Sequence, residues 1–219
     1  MNAARHVLWV PAVAAFGFLV PFLLSDLPGL PVDVYYVSYF TGTVGLFLLY
    51  VRSTNLELRR WLSRRVLWGI LIGIAGGIVL AQGVLARPAT AQLSGLELVR
   101  AVVWRGLVYG SVDGLLLFAF PWIVVWRGLG AEDGGWAKRA SSAALALLSI
   151  LVVTTTYHLG YEDFRSGMIV QPNIGSAIGA VPTLVTANPV AAPISHVFLH
   201  VTAVLHSPET GLFLPPHRE

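Results

Sequence analysis

The chain has 219 residues, 56% of them hydrophobic and only 11% charged, against roughly 25% charged in an average soluble domain, so it cannot cover a water-facing surface. With no cysteine, thiol catalysis, disulfides and thiolate metal sites are excluded. A net charge of +3, with the basic residues beside apolar runs, fits a protein held against anionic lipid and gives no ground for a nucleic-acid partner.

Apolar stretches of about 18 to 20 residues recur, the length that crosses about 30 Å of hydrocarbon. They predict an all-α, polytopic integral membrane protein with seven spans. The first is Val7–Leu24, whose internal Pro11 and Pro21 favour a retained helix over a signal peptide. A turn-rich acidic loop over 25–33 leads to Val34–Val51, where Tyr35, Tyr36 and Tyr39 are expected at the headgroup boundary. Arg52, Arg59, Arg60, Arg64 and Arg65 then crowd one short segment. By the positive-inside rule this segment is cytoplasmic, so the N-terminus is cytoplasmic too, and the plasma (inner) membrane is the expected location.

Val66–Ala86 is a third span with Gly69, Gly73, Gly76 and Gly77, small residues that permit close helix contact. A polar stretch with Glu97, Arg100 and Arg105 enters the fourth, Leu107–Trp126, which carries Asp113. An uncompensated aspartate at that depth has to pair, line a wet cavity or be protonated. The Gly-rich connection 127–139 is expected to be mobile, and Ser141–His158 forms the fifth span. Ile174–Ala187 and Val190–His206 follow as spans six and seven, separated by Asn188-Pro189. Residues 1–206 thus read as one transmembrane domain and 207–219 as a poorly ordered C-terminal tail. His196 and His200 stand one helical turn apart on one face, a spacing that can hold a metal or a catalytic water.

The stretch Arg100-Ala-Val-Val-Trp-Arg105-Gly106, the end of the fifth span at Tyr157-His158, and His196-Val-Phe-Leu-His200 together resemble the three motifs of the CAAX-protease and bacteriocin-processing (CPBP, or Abi) membrane family. The resemblance covers about residues 96–205 and matches at Arg105, His158 and His196. Where the family has paired glutamates this chain has Arg100 and Ala101, and His200 stands in place of an asparagine. The resemblance implies an intramembrane peptidase in which a glutamate and a histidine activate water while a neighbouring His or Asn donates to the oxyanion. Glu97, one turn before Ala101, is then the candidate base, unless it pairs with Arg100 at i, i+3. Arg105, His158, His196 and His200 complete the candidate catalytic set, and the substrate is a membrane-associated peptide or protein. Two other classes stay open. His158, His196 and His200 make a three-histidine site for a divalent metal such as Zn, and a non-catalytic chain of the same fold binds a membrane partner or peptide in the cleft. Axial haem ligation has no attachment motif to accompany it.

Overall fold

The computed structural model describes residues 3–25 and 31–215; the expected turn at 26–30 and the last four residues of the tail lie outside them. Every regular element among the described residues is helical. Among the described residues, five helices are long and apolar enough to cross a membrane: Arg5–Leu24, Val32–Thr54, Val66–Leu85, Gly95–Gly128 and Trp136–Gly160. In detail these are α1 (Ala3–Val7) with α2 (Trp9–Leu24), α3 (Val32–Thr54), α5 (Val66–Leu85), a long helix built from α6 (Gly95–Ala101), α7 (Tyr109–Gly114) and α8 (Phe120–Gly128), and α9 (Trp136–Gly160). Short α4 (Leu58–Ser63) lies in the arginine-rich segment and α10 (Glu162–Arg165) follows α9. The two remaining expected spans are α11 (Val170–Thr186, 17 residues) and α12 (Ala191–His206, 16 residues). At 1.5 Å per residue they reach about 24–26 Å, short of a full hydrocarbon crossing.

The helix Gly95–Gly128 is the most buried of the five and forms the axis of the bundle. From Leu116 to Trp126 its side chains are buried all round, as expected of a helix that is apolar on every face. It is not a uniform α-helix. Val102–Val108 and Leu115–Ala119 are π-helical turns that bracket α7, and such widened turns are frequent at functional sites.

Helix α12 lies in a groove between α5 and this central helix. The approach is possible because glycines face it on both sides. A methyl group at Gly114 would come within 2.6 Å of Pro193 Cα, and one at Gly73 within 2.7 Å of the Ala191 carbonyl oxygen. The sharp link into α12 is fixed by Asn188, whose amide donates to the carbonyls of Leu62 (3.2 Å) and Arg64 (2.5 Å).

Tyr35, Tyr36 and Tyr39, in the first turns of α3, are turned into the core, where their rings and the Tyr35 and Tyr39 hydroxyls find partners inside the bundle. Two expectations are corrected by the packing. The connection 127–139 is tied down: Arg139 donates to the carbonyls of Ala131 (3.3 Å) and Glu132 (2.9 Å), and Arg64 pairs with Glu132. The described part of the tail is packed as well. Ser207 and Leu214 are buried, and the Glu209 amide donates to Thr90 Oγ1 (3.3 Å), so the apolar run Leu212–Leu214 folds back onto the bundle in place of hanging free.

Candidate functional site

Asp113 on α7 meets His196 and His200 on α12 inside the bundle, all three side chains buried. The i, i+4 spacing puts the two imidazoles on one face of α12, and the glycines at 110 and 114 of the central helix let that face come close. A methyl at Gly110 would lie 3.0 Å from Val197 Cα and 3.3 Å from His200 Cβ. Asp113 Oδ2 is 2.6 Å from His196 Nε2 and 3.7 Å from His200 Nε2, and the two Nε2 atoms are 3.0 Å apart. The other carboxylate oxygen, Oδ1, accepts a hydrogen bond of 2.6 Å from Tyr39. Ring contacts hold the imidazoles: His200 edge-on to Tyr109 with centroids 4.8 Å apart, and His196 tilted against Phe118 at 5.0 Å.

Each ring nitrogen has one in-plane position, filled by either a proton or a lone pair. Without a cation, one proton on His196 Nε2 must serve both Asp113 Oδ2 and His200 Nε2. A cation satisfies all three atoms at once. Bond lengths of about 2.0–2.1 Å in a tetrahedral site place ligand atoms about 3.3 Å apart, and the three separations seen here, 2.6, 3.0 and 3.7 Å, bracket that value. The Nδ1 of His200 is buried and makes no hydrogen bond of good geometry; the backbone of Phe213 is the group placed to accept from it. A carbonyl behind a ring of this kind fixes the tautomer that leaves Nε2 free as a ligand.

His158, on α9, does not join this donor group, so the third converging atom belongs to Asp113 and not to His158. Its Nδ1 lies 2.8 Å from the carbonyl of Thr154. A carbonyl only accepts, so Nδ1 carries the proton and Nε2 a lone pair. His158 lines the same cavity as Asp113, His196 and His200, a space of about 320 Å³. Tyr109, Tyr157 and Tyr161 add hydroxyls to its polar end, joined by hydrogen bonds of 2.6 Å (Tyr109 to Tyr157) and 2.8 Å (Tyr157 to Tyr161), with Tyr35 bonded to Tyr161 behind them. Most of the remaining wall is apolar, from Leu80, Leu117 and Phe164 to Leu199 and Phe213, with Arg87, Gln171 and Ser176 as further polar residues.

Glu97 and Arg105 are not brought to the histidines. Glu97 is exposed in the first turn of α6, and neither residue lines the cavity. Arg100 pairs with Asp33, at the start of α3, and not with Glu97. Arg105 falls within the first π-helical stretch, half-buried toward Tyr36. The π-helical stretch shifts the register between Arg105 and Asp113 away from the 3.6 residues per turn of an α-helix. His206 is half-buried and its Nε2 meets the carbonyl of Arg87 at 2.8 Å, which caps that backbone group. The tyrosine set did have a sequence signal: Tyr35 with Tyr39, and Tyr157 with Tyr161, repeat the i, i+4 spacing of the histidines.

No family model, no curated protein and no solved structure matches this chain.

Proposed function

We propose that the protein is a membrane-embedded hydrolase that holds one divalent metal ion between Asp113, His196 and His200 and cleaves a carbonyl compound in the cavity beside them. The observation that carries this reading is the convergence of three buried ligand atoms in the wall of a largely apolar cavity. Two histidines and a carboxylate with room for a further ligand suit Zn and neighbouring transition metals. Such an ion polarises a carbonyl and brings a bound water toward a neutral-range pKa, about 7 in known zinc sites. The chain's own groups do the rest. His158 Nε2, free to take a proton, acts as general base: it receives a proton from the attacking water as the water oxygen bonds to the carbonyl carbon. It then returns that proton to the leaving nitrogen or oxygen as the bond from carbon to that atom breaks. The net reaction adds one water. Tyr39 holds Asp113 through Oδ1 and leaves Oδ2 directed at the histidines.

The peptide-bond cleavage implied by the CPBP resemblance is one member of this class, with the carboxylate supplied by Asp113 and not by Glu97. In the membrane the fold has seven crossings, α11 and α12 completing the bundle as short, tightly packed spans. The arginine-rich segment 52–65 and the N-terminus face the cytoplasm of the plasma (inner) membrane. The test is hydrolysis of membrane-partitioning peptide, ester and amide substrates by purified protein in nanodiscs, with and without Zn²⁺ or Co²⁺. Metal-dependent turnover that disappears in Asp113→Asn and His158→Ala supports the proposal. A metal-free protein that turns over none of them contradicts it and favours partner binding in the same cavity.

A further inference from the structure

Helices α5 and α11 pack against each other over only part of their shared length. A methyl at Gly76 would sit 2.5 Å from Pro182 Cγ, and one at Gly179 would meet the Leu80 side chain at 3.5 Å. The paired positions 76 with 182 and 80 with 179 define an antiparallel seam, and the next pair along it is Gly83 with Gly175. There the contact stops. A methyl at either glycine would have no atom within 4 Å, and both glycines line the cavity. The residues that frame this gap are apolar and turned outward: Val79 is 51% exposed, Ile174 57% and Ile178 41%, and all three also line the cavity. In a bilayer, outward-facing apolar side chains at this level contact lipid tails.

We infer that the gap between Gly83 and Gly175 is a lateral window through which a single-chain acyl ester or amide passes from the bilayer into the cavity. This rests on reading the cavity as the substrate site. The shape fits one occupant class. About 320 Å³ is at the low end of the ~300–1,000 Å³ typical of small-molecule sites, room for one slender chain and not for a two-chain lipid. The alkyl chain lies between Val79 and Ile178, and the carbonyl reaches the end occupied by Asp113, His196 and His200. Arg87 and Gln171, polar residues that also line the cavity, are placed to meet the polar head of such a molecule at the membrane surface. The window lies near the C-terminal end of α5, whose other end adjoins the arginine-rich segment. Substrate is therefore drawn from the leaflet opposite that segment.

The test uses full-length protein in nanodiscs and a dodecanoyl amide carrying a diazirine on its chain. In the wild type, photolabelling is expected to map to residues 79–87 and 171–178. Gly83→Trp and Gly175→Trp fill open space, so each should fold and lower labelling at least fivefold. Gly45→Trp, at a lipid-facing glycine of α3 that also has open space around it, should leave labelling unchanged. A phospholipid carrying the diazirine on one of its two chains should label only the outward faces of Val79, Ile174 and Ile178 and be indifferent to both plugs. Co²⁺ absorption is followed in every variant and should persist, since metal reaches the site by water. Labelling that is indifferent to both plugs, or that maps to other helices in the wild type, overturns the window. Absence of Co²⁺ binding in the wild type would remove the metal reading alone, because the labelling pattern decides the window without it. Should either tryptophan variant melt below the wild type, Gly175→Leu and the two-chain probe provide the same discrimination.

Discussion

Gly114→Ala is the smallest change that should pull the site apart. The added methyl lands 2.6 Å from Pro193 Cα and 3.3 Å from His196 Cβ, whereas carbon atoms rest at about 3.5–4.0 Å. One of the contacted atoms is backbone, so no side-chain rotation relieves the clash, and α12 must retreat by about 1 Å. A retreat of that size takes His196 Nε2 from 2.6 Å to about 3.6 Å from Asp113 Oδ2, outside hydrogen-bond range, and takes His200 Nε2 from 3.7 Å to about 4.7 Å, beyond the roughly 4.1 Å that two ligands on one small cation can span. Overpacking of this kind destabilises by about 1–3 kcal/mol. For a chain this long each kcal/mol lowers Tm by about 2–4 °C. Loss of ligand positioning weakens metal binding by about 10- to 100-fold. The assay is Co²⁺ titration by absorption together with thermal unfolding, with Gly45→Ala as the control because no atom lies near its new methyl. Unchanged Co²⁺ affinity and Tm in Gly114→Ala would refute the close-approach reasoning.

Other outcomes follow from the same geometry. Tyr39→Phe removes the 2.6 Å bond to Asp113 Oδ1 and should weaken Co²⁺ binding about tenfold while leaving its stoichiometry at one, as read by titration. His158→Gln should keep the metal but lower turnover by about 10²- to 10⁴-fold, the usual contribution of a general base; equal loss of metal would instead make His158 a ligand. Glu97→Gln, at an exposed position outside the cavity, should leave Co²⁺ affinity and turnover within twofold of wild type, and a large loss would restore Glu97 as the base. Asp113→Asn keeps the shape of the side chain but removes its charge, and should lower Co²⁺ affinity at least 100-fold in equilibrium dialysis.

The helical, membrane-spanning character of the chain was legible because composition and run length alone dictate it, and the His196/His200 pair was legible because helix spacing is local. The donor that completes the cluster was harder to see. Asp113 was recognised as needing a partner, but its meeting with α12 depends on glycines at 110 and 114 of one helix facing Val197 and Pro193 of another, a long-range contact that periodicity does not encode. The π-helical stretch before α7 also shifts the register between Arg105 and Asp113, and no residue pattern marks it. Tyrosine near a span's entry signals the headgroup level, but that Tyr35 and Tyr39 turn inward depends on hydroxyl partners contributed by Tyr161 and Asp113, far away in sequence. The tail shows the converse case: a chain end is expected to be poorly ordered, but Leu212–Leu214 line the cavity and so have a surface to cover.

The most direct test of the metal site is X-ray absorption at the cobalt edge on Co²⁺-loaded protein in nanodiscs, with metal content measured on the same sample. One equivalent of cobalt bound by two imidazole nitrogens and oxygen ligands, lost in His196→Ala and His200→Ala and altered in Asp113→Asn, is the predicted result. A wild-type protein that retains no metal, or cobalt whose surroundings are unchanged by all three substitutions, would contradict it.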